Sequence, residues 1–466
     1  MSQFTFSGGI HPYDGKDISK DKPIREILPK GDLVYPLSQH IGAPAKAIVS
    51  VGDKVKAGQM IAEASGFVSA NIFAAVSGTV KAIEKHRVPV GDMVDSIIIE
   101  NDGKYEQKDF PLPKPLEEMT KEEIIAAVKN AGVVGMGGAG FPTHVKLSPK
   151  DPSKIEFVIA NCSECEPYLT SDYRRMVEVP EKIIGGLKCI LKLFDNARGI
   201  IAIEDNKPDA IEKISDLVKD EPRIEVKTLK TKYPQGSERH LIYACTKRAI
   251  NSKMLPADAG CIVDNTDTVI AINAAVTENH PIMYRVVTVT GDAIRDPRNF
   301  IVRCGTNYSE LIDEAGGFVA EPEVIISGGP MMGFSIFDLD VPVTKTSSAL
   351  LCMLHDEVSE TASTACINCG RCVEACPEKL IPSQLATYAE HEDYEEFDRL
   401  YGTECVECGC CSYVCPAKRH LTQAIKSMKK LSIGKAKAEA ARAKEKADAA
   451  KATGNKMSDK KEGAGK

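Results

Sequence analysis

A chain of 466 residues is too long for one hydrophobic core, so three or four domains are expected. Its 59 basic and 66 acidic residues leave a formal net charge of −7, which gives no electrostatic ground for a nucleic-acid partner. No apolar run approaches the ~18 residues of a membrane-spanning helix, Met1 to Gly9 lack the basic-then-apolar order of a signal peptide, and the 16 cysteines are expected in a reducing cytoplasm.

The first expected domain covers residues 1–115. Val51 to Ala62 alternates short strands with Gly-Asp turns, and Ala74 to Val80 continues in the same style. The pattern resembles the two halves of a biotinyl or lipoyl barrel-sandwich. Those carriers attach their cofactor to a hairpin lysine, and no lysine lies between Lys56 and Lys81. A docking role without a swinging arm is therefore expected. The Pro-rich stretch Phe110 to Pro115 closes the domain.

Residues 116–280 read as an α/β domain. Thr120 and Glu123 form a capping box ahead of an apolar helix. Ile155 to Ala160, Gly199 to Ile203, Ile224 to Leu229 and Cys261 to Asp264 are short apolar runs, separated by helix-length segments such as Glu181 to Leu193 and Ser237 to Ala249. That alternation predicts a mostly parallel sheet with ligand sites in the loops at its edge. Gly135, Gly137 and Gly140 satisfy a G-x-G-x-x-G pattern, but the loop follows a helix and runs into Phe141-Pro142, unlike a standard dinucleotide fingerprint. Consecutive glycines still let main-chain N–H groups approach a phosphate, and Lys146 adds charge nearby; a plain loop is the competing reading. Cys162 and Cys165 form a Cys-x2-Cys pair with too few ligands for a cubane, so ordinary reduced thiols are expected. His144 reads as a packing or solvent-facing residue.

Residues 281–350 predict a small α+β, β-grasp-like module, with strands at Tyr284 to Thr290, Ile294 to Val302 and Glu323 to Ser327 around a helix from Tyr308 to Ala315. In residues 351–430, Cys366-x2-Cys369-x2-Cys372-x3-Cys376-Pro377 is followed by Cys405-x2-Cys408-x2-Cys411-x3-Cys415-Pro416. Each run has the bacterial ferredoxin spacing, in which three thiolates wrap one [4Fe–4S] cubane and the fourth serves the other cluster. Zinc knuckles normally pair two Cys-x2-Cys units, so two iron–sulfur clusters are expected in preference to zinc. Cys410 falls outside the spacing and reads as a spectator. Pro382 to Leu400 looks helical, making this a helix-rich double-cluster domain. From about Ser432 the chain becomes a Lys/Ala/Glu-rich tail, residues 431–466, that cannot bury a core. A solvated, partly helical and otherwise disordered basic tail is expected in preference to a contact for a partner or an anionic membrane.

The string Gly137-Gly138-Ala139-Gly140-Phe141-Pro142-Thr143-x2-Lys146, with Asn161-x3-Cys165-Glu166-Pro167, Tyr233-x2-Gly236-Ser237-Glu238 and Asp264 to Thr268, resembles the flavoprotein subunit of respiratory complex I and its relatives. With a barrel-sandwich in front and two ferredoxin runs behind, the order is similar to that of the RnfC family, the C subunits of Rnf complexes, which are membrane-bound ion-pumping ferredoxin:NAD⁺ oxidoreductases. The resemblance implies FMN held by Gly137, Gly138, Gly140, Lys146, Asn161, Glu166, Asn265 and Thr268, and NAD(H) facing Phe141, Glu166 and Glu238. It further implies membrane-embedded and iron–sulfur partner subunits, and a peripheral place on the cytoplasmic face of the membrane. Relatives carry Arg where Met136 stands and two adjacent acids where this chain has Ser237-Glu238. The alternative is a flavin-less adaptor whose clusters relay electrons between partners.

Overall fold

The structure is a computed structural model that describes residues 4–462, with side chains described to residue 443. The chain divides into two compact units, Met1–Glu360 and Thr361–Lys466.

In the first unit, the barrel-sandwich is built from one sheet of Leu33–Pro36, Met93–Asn101, Gly78–Arg87 and Lys54–Val55, and a second of Lys46–Ala47, Met60–Glu63 and Ile72–Phe73. Leu33, Tyr35, Ile61, Ile72, Ile97 and Ile99 fill the space between them. The Tyr35 hydroxyl accepts the Ala75 N–H at 2.8 Å, so this buried phenol is satisfied. Residues 64–71 form the hairpin tip that bears the cofactor lysine in carrier domains. Here Phe67 occupies the tip, and its carbonyl lies 3.0 Å from Nε2 of His144. His144 is a buried packing residue.

The α/β domain carries four parallel strands in the order Ile224–Leu229, Arg198–Glu204, Phe157–Cys162, Cys261–Asn265. In the last three of these strands the Ile and Val side chains are buried on both faces, as a parallel sheet between helices requires, whereas the edge strand Ile224–Leu229 is buried only at its two ends. The Thr120 capping box is present. Helices Pro180–Leu191 and Thr266–Thr277 cover one face at close quarters: a Cβ at Gly186 would lie 1.9 Å from the Val269 carbonyl oxygen.

A mixed six-stranded sheet follows, in the order Arg25–Glu26, Arg298–Arg303, Tyr284–Thr290, Ala349–Met353, Val324–Ser327, Phe334–Ile336. Helix Tyr308–Glu314 packs Tyr308, Leu311 and Ile312 against it. Three expectations are corrected here. The strand expected from Ile294 starts at Arg298, because Pro297 has no N–H to donate and Ile294 bridges Phe318 instead. Residues assigned to the barrel region supply an edge strand, Arg25–Glu26, to this sheet. The strand Ala349–Met353 also straddles the boundary drawn at residue 350.

The second unit is helical, with Arg371–Ala375, Pro382–Glu390, Tyr394–Arg399, Cys410–Tyr413 and Leu421–Glu462 around a core that includes Leu385, Phe397, Leu421, Ile425 and Met428. The tail, expected to be only partly helical, continues the last helix as far as Glu462, with Gly463 to Lys466 outside the described residues. Ala, Lys and Glu are strong helix formers, and the packed turns at Leu421, Ile425 and Met428 supply the costly nucleus. Among the described residues no helix is long and apolar enough to cross a membrane.

Candidate nucleotide and cluster sites

The glycine loop lies at the carboxyl end of strand Cys261–Asn265, where parallel sheets present ligand sites. Met136 begins the loop. Its N–H donates to Thr268 Oγ1 at 2.9 Å, and its carbonyl accepts from Arg285 Nη2 at 3.3 Å. Gly137 lies against Asn265, where a Cβ would come within 2.9 Å of the Asn265 Cβ, whereas a Cβ at Gly138 would meet nothing within 4 Å. Among the described residues, the N–H groups of Gly137, Gly138 and Ala139 donate no hydrogen bond of ordinary geometry within the protein. An open row of amides is a cradle for an anion. Gly140 differs: at φ +71° it fits beneath Thr346 and the Gln39-His40 backbone, so it serves packing.

The Met136 side chain is buried in the α/β core, so the substitution of Arg removes a cation from the loop surface. A positive field remains. Asp267 is shared by Arg175 at 3.0 Å and Arg285 at 2.8 Å, leaving one surplus positive charge below the loop. Burial raises the cost of the Asp267 charge, but the two arginines outweigh it and hold the carboxyl below its ordinary range. The amino end of helix Thr266–Thr277, capped by Asn265, adds its dipole at the same place.

Lys146 does not stand free. Its Nζ donates to the Val263 carbonyl at 2.6 Å and lies 3.2 Å from Asp264 and 3.9 Å from Glu238. Burial opposes its charge, yet the two acids hold its pKa above the ordinary value. The charge that Lys146 brings near the loop is therefore paired with two carboxylates, one of them Glu238. The Glu238 carboxyl remains partly exposed, with its pKa pushed up by burial, pulled back by Lys146 and pushed again by Asp264.

The remaining candidates act as a frame. Asn161 donates through Nδ2 to the Gly236 carbonyl at 2.8 Å, joining the strand end to the segment ahead of Glu238. Asn265 donates to Asp172 at 2.7 Å. Glu166 Oε1 accepts the N–H groups of Met331 and Met332 at 2.7 and 3.1 Å, so it anchors a turn of the mixed sheet. Phe141 is half-buried, and its carbonyl closes the loop by accepting from Gly135 at 2.9 Å. Neither Cys162 nor Cys165 is paired. Burial pushes the Cys162 thiol up to about 12 and also raises Cys165, whose Sγ accepts the Gly236 N–H at 3.2 Å. Sequence reasoning missed Lys16, Glu164, Asp172, Asp264 and Arg285, whose partners lie far away in the chain.

In the second unit the two cysteine runs fold alike. Asn368, Gly370 and Lys379 have left-handed backbones, and so do Glu407, Gly409 and Lys418 at the matching places of the second run. The N–H groups of Asn368 and Glu407 point at Cys366 and Cys405 Sγ from 3.4 and 3.3 Å. Two cavities result. One is lined by Cys366, Cys369 and Cys372 together with Cys415; the other by Cys405, Cys408 and Cys411 together with Cys376. Cys410 also borders the second.

Residues 128–274 match the family model of the Nuo51 FMN-binding domain, 4–104 the RnfC barrel sandwich hybrid domain, 286–335 the SLBB domain and 365–418 the 4Fe-4S dicluster domain. The chain is 44% identical to the C subunit of the proton-translocating ferredoxin:NAD(+) oxidoreductase complex of Clostridium ljungdahlii over 85% of its own length and 87% of that protein. It is 43% identical to the Na(+)-translocating counterpart of Acetobacterium woodii over 91% of its length and 96% of that protein. It is 37% identical to the C subunit of the ion-translocating oxidoreductase complex of Vibrio cholerae over 85% of its length and 51% of that longer protein. With cysteine cavities, a glycine loop and a barrel-sandwich in the same order, and this identity over most of its length, the chain belongs to the RnfC family, the C subunits of ion-translocating ferredoxin:NAD⁺ oxidoreductase complexes.

Proposed function

We propose that this chain is the electron-transfer subunit of a membrane-bound ferredoxin:NAD⁺ oxidoreductase, passing electrons between NAD(H), FMN and two [4Fe–4S] clusters. The observation that carries the reading is the presence, in one chain, of an open row of glycine-loop amides and two cavities, each lined by three cysteines of one run and the fourth of the other. When bound, flavin exchanges a hydride with NAD(H) on one side and single electrons with iron–sulfur clusters on the other.

Gly137 and Gly138 offer main-chain donors to the FMN phosphate, under the field of Arg175, Arg285 and the helix amino end. Gly140, Asn161, Asn265 and Thr268 fix the walls, and Lys146 orients Glu238. Phe141, Glu166 and Glu238 face the nicotinamide nucleotide. Cys366, Cys369, Cys372 and Cys415 ligate one cluster, and Cys405, Cys408, Cys411 and Cys376 the other, a cross-ligated arrangement supported by the cavity linings. Domains divide near residues 115 and 280 and again between Glu360 and Thr361.

Membrane-embedded and iron–sulfur subunits are the partners, and the chain sits peripherally at the cytoplasmic face of the membrane. The names of two relatives equally similar to this chain give different ions, which fits an ion path built by other subunits. One observation favours the flavin-less adaptor: the neutralisation of Lys146. Anaerobic reconstitution followed by acid release of bound flavin separates the two. Stoichiometric FMN supports the proposal, and iron with no releasable flavin overturns it.

A further inference from the structure

The chain ahead of the barrel crosses both loops that carry the nucleotide-facing acids. Phe4 bridges Leu229, and Ile10 exchanges two main-chain hydrogen bonds with Tyr233, at 2.8 and 2.9 Å. Tyr233 opens the segment that ends in Glu238. Gly9 lies so close that a Cβ would stand 2.7 Å from the Tyr233 carbonyl oxygen. Further on, the arm turns at Gly15, φ +58°, beneath the Tyr168 ring, and the Asp14 carbonyl accepts the Tyr168 N–H at 2.6 Å.

This turn delivers Lys16 into the loop between Cys162 and Ser171. Lys16 is buried, and its Nζ donates to the carbonyls of Glu164 at 2.9 Å, Glu166 at 3.1 Å and Leu169, with the Glu164 carboxylate 3.6 Å away. An ammonium has three N–H donors and no acceptor, so these three carbonyls exhaust it. The loop needs that donor. Glu164 and Tyr168 hold left-handed backbones, at φ 51° and 66°, each costing roughly 1–2 kcal/mol in an L-residue. Three carbonyls turned inward would otherwise be buried acceptors without partners. Ser19 secures the far end: its Oγ lies 2.8 Å from Thr170 Oγ1, which also accepts from Asn299 at 2.8 Å.

We propose that the amino-terminal arm is a positioning device for the nicotinamide-nucleotide wall of this site: Lys16 sets the loop that carries Glu166, and the Ile10–Tyr233 bridge sets the segment that carries Glu238. Lys16 is a positioning residue and touches neither cofactor. The inference rests on the reading of the site as an FMN/NAD(H) site. It means that the FMN-binding segment alone lacks the element that shapes its second wall.

The test uses the full chain with clusters reconstituted. Lys16→Met keeps most of the stem and removes the ammonium. It is expected to lower kcat/KM for NADH-driven flavin reduction on the order of tenfold or more, as loss of a supporting contact behind functional ligands does. Dithionite reduction should be unchanged. Amide hydrogen exchange should quicken in residues 164–170 but not in strand Arg198–Glu204. Lys16→Ala should regain NADH reactivity on addition of n-propylammonium, which replaces the missing atoms, and not of tetramethylammonium, which has no N–H.

Wild-type kinetics and exchange in Lys16→Met would overturn the proposal. So would a loss that n-propylammonium does not restore, or a loss of protection across the whole sheet, which would make Lys16 a support of the fold rather than of the site. If the wild type itself binds no FMN, the functional reading fails, while the exchange comparison in residues 164–170 still decides the arm's role.

Discussion

Gly138→Val and Gly140→Val are expected to fail for different reasons, although the two glycines are near neighbours in one loop. At Gly138 a Cβ meets no atom within 4 Å, and the backbone is not left-handed, so valine should change stability by no more than about 0.5 kcal/mol. The added side chain would instead fill the space through which a phosphate reaches the open amides. Hydrogen bonds to a charged group contribute about 1.5–3 kcal/mol, so FMN should bind about ten- to hundredfold more weakly. At Gly140 the left-handed backbone alone costs roughly 1–2 kcal/mol for a non-glycine residue. A Cβ there would also lie 2.9 Å from Thr346 Cγ2 and 3.0 Å from the Gln39 carbonyl oxygen. Its main effect should be a lower melting temperature. The assay pairs FMN titration by fluorescence quenching with thermal unfolding of the same samples. Gly138→Val with wild-type FMN affinity, or with a melting temperature lowered as far as that of Gly140→Val, would refute the cradle.

Cys415→Ala should perturb the same EPR signal as Cys369→Ala, and Cys376→Ala the same signal as Cys408→Ala; a change confined to the cluster of each cysteine's own run would exclude cross-ligation. Glu238→Gln should slow flavin reduction by NADH while chemical reduction stays normal, and indifferent NADH kinetics would remove Glu238 from the nucleotide wall. Burial, with Glu164 and Asp267 adding to it, pushes Asp172 up to about 8. The folded chain therefore keeps a proton that the unfolded chain has released above about pH 4, so the stability this group contributes is full at low pH and is lost as pH rises towards 8. Asp172→Asn stays neutral and can still accept the Asn265 hydrogen bond. Its melting temperature should gain on the wild type between about pH 4 and about pH 8, whereas a constant difference would show that Asp172 does not titrate there.

The cysteine runs were the most legible part of the sequence, because ligand spacing in a cubane loop is a local property. Each run fixes its own left-handed turns, and Asn368-Cys369-Gly370 and Glu407-Cys408-Gly409 show them at matching places. The parallel strands were legible as apolar runs for a similar reason. The electrostatics of the glycine loop were not. Met136 reads as a lost cation, yet the surplus charge beneath the loop comes from Arg175 and Arg285, which meet at Asp267 only through tertiary packing. Lys146 reads as added charge near the loop, and the fold brings Asp264 and Glu238 to it. Lys16 carried no signal at all, since its three acceptors are carbonyls roughly 150 residues away, and main-chain acceptors leave no mark in a sequence. In the tail, high charge argued for disorder while the same Lys, Ala and Glu residues favour helix once a packed first turn exists.

The central claim is that one chain carries electrons from NADH through flavin to its own clusters. Anaerobic addition of NADH to the purified, cluster-reconstituted, FMN-loaded protein tests it directly, with the flavin absorbance and the cluster EPR signals recorded on the same sample. The account predicts that NADH bleaches the flavin and that reduced-cluster signals appear with it. Protein whose clusters dithionite reduces, but whose flavin and clusters both stay oxidised under excess NADH, would contradict it.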